Sequence, residues 1–167
     1  MHLTTEKQFV DFYDKHADAI FRFCYFRIYE RELAKELSQE SFCRLWGMVA
    51  EGQDITYPKA VLYRIARNLV IDYVRRKKEA SLEEIQEVSG DSVFKDSKSE
   101  HIDDAIDVSA VLQKLREKNE ELSEPLELKY LQGLQVKEIA KILNLSPNVV
   151  SVRIHRAIKI LKGMYDN

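Results

Sequence analysis

The chain has 167 residues, of which 45% are hydrophobic and 32% charged, the balance of a soluble globular protein with room for one domain or two small ones. Five glycines and three prolines favour helices over a turn-rich β architecture. No stretch approaches the roughly 18 apolar residues of a membrane span, and Met1–Lys7 lacks the basic start and apolar core of a secretion signal. The chain therefore reads as cytoplasmic, with no membrane contact of its own.

A formal net charge of −2 argues against a nucleic-acid binder, which is usually basic. Its distribution argues the other way. Lys59, Arg64, Arg67, Arg75, Arg76, Lys77 and Lys78 face a single acid, Asp72, between Pro58 and Lys78. Residues 79–107 then carry ten acids against two lysines, and Pro147–Asn167 carries Arg153, Arg156, Lys159 and Lys162 against Asp166. Two basic elements flank an acidic stretch, and the average conceals both.

In chain order, Thr5-x-x-Gln8 is a capping box that opens a helix. Phe9, Phe12, Tyr13, Phe21, Phe23, Tyr25, Phe26 and Tyr29 exceed what one buried stripe requires, so two successive helices are expected here. A further amphipathic segment runs from about Glu30 to Val49, with Leu33, Leu37, Phe42, Leu45 and Trp46 apolar and Glu36, Gln39, Glu40 and Arg44 polar. Cys24 and Cys43 lie in helical patterns without a CxxC or a histidine at ligand spacing. Both are expected to be small buried hydrophobes rather than metal ligands.

Residues 50–57 read as a loop broken at Gly52, and Pro58 starts the basic helix. On a helical wheel Leu62, Ile65, Ala66, Leu69 and Tyr73 share one side, and Arg64, Arg67, Asn68 and Arg75 the other. Arginines, tyrosines and an asparagine opposite a packed stripe suit phosphates and bases. The competing reading is an ordinary amphipathic helix with a solvated basic face. Ile71 projects from the middle of that polar face without an assigned role.

Residues 79–103 are rich in Ser, Asp, Glu and Lys, with Gly90 interrupting. Ser81-x-x-Glu84 offers a short helix cap, but the composition is that of an acidic flexible linker. Residues 104–167 resume helical spacing. Ile106, Val108, Val111, Leu112 and Leu115 mark one helix, and Ser123 before Pro125 is read as the cap of the next, which Gly133 ends. Val136–Leu143 follows, with Ile139, Ala140 and Leu143 inward, then the turn Asn144-Leu145-Ser146. Asn144 tolerates a left-handed conformation, and Ser146-Pro147 is an N-cap followed by proline at the first helical position. The last helix, to about Lys162, buries Val150, Ile154, Ala157 and Leu161 and turns Asn148, Val152, His155, Arg156 and Lys159 outward. Helix, three-residue turn and basic helix form a helix-turn-helix pattern. The expected architecture is all-α: helical domains at 1–78 and 104–167 joined by the linker 79–103.

Three blocks together resemble the extracytoplasmic-function (ECF) group of bacterial RNA polymerase sigma factors. They are Ala34–Trp46, similar to sigma region 2.2; Leu62–Arg76, similar to regions 2.3 to 2.4; and Leu126–Leu161, with Glu138-Ile139-Ala140 and Arg153-Ile154-His155-Arg156-Ala157, similar to region 4. The resemblance implies a protein that is not an enzyme and needs no cofactor. It would bind core RNA polymerase, direct it to promoters and assist melting. Region 2.2 would dock on the clamp helices of the largest subunit through Glu36, Gln39, Glu40 and Arg44, and region 4 on the flap of the second-largest. Tyr57, Lys59, Tyr63, Arg64, Arg67, Asn68, Arg75 and Arg76 would hold the separated −10 strand. Asn148, Ser151, Val152, Arg153, His155, Arg156 and Lys159 would read the −35 duplex. The resemblance also implies an anti-sigma factor as a partner.

Val149-Val150-Ser151-Val152-Arg153 departs from the family's common Thr-Val-Lys-Ser-Arg, losing a lysine and a hydroxyl. A −35 preference tilted toward thymine methyls, or weaker reliance on that element, is the expectation. The alternative function is a conventional helix-turn-helix regulator that binds duplex operator without polymerase, a reading in which the basic helix and the Glu36–Trp46 block have no role. A helical adaptor is a third. No catalytic triad, metal cluster or phosphate loop points to an enzyme.

Overall fold

The computed structural model describes residues 3, 5–87 and 103–165. Among the described residues the secondary structure is entirely helical, in the order α1 (Glu6–Ile28), α2 (Arg31–Ala50), α3 (Pro58–Glu87), α4 (Asp103–Lys118), α5 (Glu120–Tyr130), α6 (Val136–Leu143) and α7 (Pro147–Tyr165). The chain divides into two compact units, residues 1–100 and 101–167, each with its own core.

In the first unit α1, α2 and α3 pack against one another in all three pairings. The Thr5 box forms as expected. Thr5 Oγ1 accepts from the Gln8 amide at 3.3 Å, and Gln8 Oε1 accepts from the Thr5 amide at 3.2 Å. The helix it opens runs unbroken for 23 residues to a left-handed Tyr29, where two helices were expected. No Gly or Pro interrupts it, and its surplus rings serve two neighbours instead. Tyr13 meets Phe42 and Phe9 meets Trp46 of α2, at ring separations of 4.7 and 4.9 Å, while Phe23 meets Tyr63 of α3 at 5.4 Å. One long helix thus lines both partners.

On α2, Ala34, Phe42, Leu45 and Val49 are buried together with Ser38 and Ser41. The hydroxyl of Ser41 is satisfied by donating to the Leu37 carbonyl at 2.6 Å. Gly52, at φ 78°, supplies the left-handed turn after α2, and buried Ile55 pins the loop to the core.

Two helices pack on α3, so its buried arc is wider than a single stripe. Leu62, Tyr63, Ala66, Leu69 and Val70 are all buried, with Ile65 and Tyr73 half-buried. Near its basic end Lys77 Nζ donates to Glu30 Oε1 at 2.6 Å, and the Tyr73 hydroxyl donates to the same oxygen at 3.4 Å. The lysine's hydrogen bond to Glu30 raises the Lys77 pKa above its ordinary value.

The helix also outlasts its expected end at Lys78, continuing to Glu87. Glu-Ala-Ser-Leu-Glu-Glu-Ile-Gln-Glu is mostly good helix former, a property that acidic composition obscures. Ser81 is not a cap there, since its hydroxyl bonds back to the Lys78 carbonyl at 2.9 Å. Residues 88–102 of the expected linker lie outside the described residues.

In the second unit Leu112 and Leu115 of α4 enter the core. The cap of α5 is Asn119, whose Oδ1 accepts from the Leu122 amide at 3.2 Å, and not Ser123. Ser123 is buried inside the helix and donates to the Glu120 carbonyl at 3.2 Å, with Pro125 following it within the helix. The Arg116 guanidinium of α4 clamps Glu127 of α5, with Nε and Nη2 at 3.1 and 2.9 Å from Oε1.

Gly133 turns the chain at φ 66°. On α6, Ile139, Ala140 and Ile142 are buried. Leu143, expected inward, is half-buried; Ile142 takes that place.

Asn144 is left-handed at φ 54°, ψ 47°, and the Leu145 amide donates to the Ala140 carbonyl at 2.9 Å. Ser146 Oγ accepts from the Val149 amide at 3.2 Å. The helix it opens, α7, continues to Tyr165 rather than to Lys162 and buries Val150, Ile154 and Ala157.

Packing at Tyr63 fixes the rotation of α3 about its axis. Tyr63→Ala should lower stability by about 3–5 kcal/mol, the range for emptying an aromatic core site. Arg64→Ala, one position along, should stay within about 0.5 kcal/mol. Urea unfolding followed by circular dichroism checks both; equal losses would mean that α3 is rotated otherwise.

Candidate functional site

Three polar faces remain once the cores are assigned. On α2, Glu36, Gln39, Glu40 and Arg44 are all exposed, on the side away from Ala34, Ser38, Ser41 and Leu45. Arg44 Nε lies 2.7 Å from Glu40 Oε1, one turn back, a solvent-exposed ion pair that is weak and open to exchange with a partner's charges. Cys43 is exposed among them, not buried as expected, while Cys24 is fully buried. Burial pushes the Cys24 thiol up to about 12, against a smaller lowering by Arg27.

On α3 the candidates separate into groups. Tyr57, Arg64, Asn68 and Arg75 are exposed and fall seven, four and seven residues apart, which keeps them in line on a helix. Half-buried Ile71 lies in the same line. At about 1.5 Å per residue the ridge is roughly 27 Å long, enough to follow several nucleotides of a single strand. Tyr57, 52% exposed at the start of α3, offers a stacking surface. Arg75 is tethered to Asp72 at 3.3 Å, in the open, where such a pair is weak and yields readily to a phosphate.

Half-buried Arg67 flanks the ridge. Half-buried Lys59 and exposed Arg76 fall on other sides of the helix. Tyr63 does not belong to the site. It is 1% exposed, with its ring edge-on to Phe23, and a ring without a free face is no platform for a base.

In the second unit Asn148, Ser151, Val152, His155, Arg156 and Lys159 are exposed on α7. They stand opposite the buried Val150, Ile154 and Ala157. Val152 is 40% exposed, an apolar contact held out toward solvent. Ser151 is partly engaged, donating to the Pro147 carbonyl at 3.0 Å. Arg153 is drawn aside to Glu121 of α5, Nη2 to Oε2 3.1 Å. No periodicity announces that pairing, because its partners lie on different helices far apart in the chain.

The order of these faces is matched by known proteins. The family model described as "Sigma-70 region 2" matches residues 12–80, and "Sigma-70, region 4" matches residues 108–161. The ECF RNA polymerase sigma factor SigW of Bacillus subtilis is 31% identical over 164 residues, covering 92% of this chain and 87% of that protein. This chain belongs to the ECF sigma factors.

Sigma factor BldN of Streptomyces coelicolor is 26% identical over 89% of this chain, which spans 57% of that longer relative. Among solved structures, the sigma factor RpoE of Bartonella quintana, in complex with the anti-sigma factor NepR, superposes with a TM-score of 0.69 at 19% identity. It covers 96% of this chain and 98% of its own. CnrH, in complex with the cytosolic domain of CnrY, gives 0.68 at 22%, over 97% and 90%. Those two likenesses speak for the fold. No helix among the described residues is long and apolar enough to cross a membrane.

Within this sigma factor the two thiols should differ sharply. At pH 8 an aromatic disulfide reagent should titrate Cys43 quickly and Cys24 only after unfolding, because a thiol with a pKa near 12 holds almost no thiolate there. Two fast thiols in the native protein would contradict the burial of Cys24.

Proposed function

We propose that this chain binds core RNA polymerase, directs it to its promoters and helps to open them. The observation that carries the reading is the presence of two nucleic-acid-type faces of different kind on two units of one chain. The α3 ridge combines an exposed tyrosine with arginines and an asparagine, the chemistry that holds an unstacked strand. The α7 face presents base-edge and phosphate chemistry on the second helix of a helix-turn-helix, which suits the major groove.

The exposed α2 face has no part in either core and is assigned to the clamp helices of the largest polymerase subunit. Contact of the second unit with the flap follows from the family resemblance alone. The domains proposed are 1–78, a linker 79–103 and 104–167, although the helix of the first runs into the linker. Tyr57, Arg64, Asn68 and Arg75 are the proposed core of the −10 site, with Lys59, Arg67 and Arg76 at its edges. The seven α7 residues, Asn148 to Lys159, are proposed for the −35 element. Such a protein acts in the cytoplasm, without catalytic chemistry of its own. The complex of RpoE with the anti-sigma factor NepR supports an anti-sigma partner for this chain as well.

A run-off assay with purified core polymerase and promoters selected from a genomic library tests the reading. Transcripts should require both the chain and core, and core should slow maleimide labelling of Cys43 at least tenfold by covering α2. Specific operator binding by the free chain, with no core binding, would establish a conventional regulator instead. Transcription with Cys43 still freely labelled would remove only the α2 assignment.

Val152 carries the proposed thymine preference. Replacing a contacted −35 thymine by deoxyuridine removes one methyl, worth about 0.8 kcal/mol, so promoter binding should weaken about fourfold. Val152→Ser should abolish that difference. An unchanged preference in the variant would refute the contact.

A further inference from the structure

The outward face of α7 does not stand alone. The first turn of α5 borders it, and the two enclose a concavity of about 400 Å³ whose walls include Asn148, Val152, Arg153 and Arg156 from α7 and Glu121 from α5. The Glu121 carboxylate reaches Arg153 at 3.1 Å, yet the side chain is 77% exposed against 27% for the arginine. One arginine of the −35 face is therefore neutralised by an acid that itself looks into solvent beside that face.

Glu120 adds a second carboxylate to the same turn. A helix N-terminus without acids is attractive to phosphate, because its free amides point outward and its dipole is positive. Here Asn119 already takes up the Leu122 amide, and two carboxylates offset the positive end of the helix. A duplex seated on α7 would also face the first turn of α5, which precedes the helix-turn-helix in the chain and lines the same concavity as Asn148, Val152 and Arg156. It would meet negative charge there.

We propose that Glu121 is a specificity-determining residue of this sigma factor. It repels the sugar–phosphate backbone and withholds Arg153 from indiscriminate phosphate binding. The second unit then engages duplex productively only where base contacts to Asn148, Val152 and Arg156 compensate. The inference rests on the proposed −35 role of α7 and adds to it a residue that acts by repulsion, as specificity commonly requires. The competing explanation is that the acid serves only the α5 dipole, in which case its removal alters thermal stability and leaves DNA discrimination untouched.

The test uses holoenzyme reconstituted from the full chain and core, with wild type, Glu121→Gln and Arg156→Ala compared side by side. Short duplexes, either the selected −35 sequence or a scrambled one, compete with promoter in the run-off assay across a salt series. Glu121→Gln keeps the shape of the side chain and removes its charge. Scrambled duplex should then compete three- to tenfold better, the selected-to-scrambled ratio should fall by a similar factor, and the salt slope should steepen by about 0.9 for one added phosphate contact. The difference should vanish at high salt.

An unchanged ratio and slope would overturn the inference, as would weaker competition by both duplexes. Arg156→Ala separates the two levels of the argument. If it weakens −35 competition while Glu121→Gln changes nothing, only the role of Glu121 fails. If Arg156→Ala is also silent, the −35 assignment of α7 fails with it.

Discussion

The rotation of α3 about its own axis is the constraint on which the first unit's surface depends. Leu62, Tyr63 and Ala66 are all but inaccessible, wedged between α1 and α2, so the helix has a single rotational setting. One residue of rotation is about 100°. A slip of that size would bury Arg64 and expose Tyr63, losing an aromatic core contact and stranding a guanidinium in apolar surroundings. Spacing puts Tyr57, Arg64, Asn68 and Arg75 in line, and the locked opposite side of the helix turns that line to solvent. Packing sets which residues project, and projection sets what the helix is able to hold.

The second unit achieves the same end through its turn. Left-handed Asn144 and the Ser146 cap close the connection between α6 and α7 within three residues, and buried Ala140 leaves room for the helices to approach. The outward face of α7 follows from that crossing. Its charge is modest: Arg156 and Lys159 stand exposed, Arg153 is paired with Glu121, and Val152 is apolar. Counterion release scales with the number of phosphates neutralised, so a face with so few open cations has little affinity that is blind to sequence.

Most local chemistry was legible in the sequence, the caps expected at Ser81 and Ser123 excepted because both lie inside helices, and chemistry requiring a partner was not. Thr5 with Gln8, Asn144 and Ser146-Pro147 each signal through their immediate neighbours, and each appears where its type predicts. Tyr63 falls inside the core, where a wheel drawn for one buried stripe does not place it, because the helix is packed on two sides. Cys43 follows the same logic in reverse, since an apolar residue type says little about which side of α2 it occupies. The extra length of α3 was hidden by composition, because the acids of residues 79–87 resemble a linker while their helix propensities do not. The pairing of Glu121 with Arg153 joins helices distant in sequence and leaves no pattern to find. What the sequence carried across distance was the order of whole motifs, and that order held.

The two faces make more sense as halves than as independent binders. The α3 ridge offers Arg64 and an Arg75 that is already paired with Asp72; α7 offers little more. Neither promises tight binding at physiological ionic strength, where isolated exposed charges contribute weakly. Joined in one chain, the second contact forms at an effective concentration set by the covalent connection rather than by bulk solution, so two weak sites multiply into a strong one without any new contact. On the proposed reading core polymerase restricts that search further. A net charge of −2 then ceases to be a paradox for a DNA-directed protein: low intrinsic affinity keeps each unit off random duplex, and the combined affinity arises only where both sequence elements and the polymerase coincide.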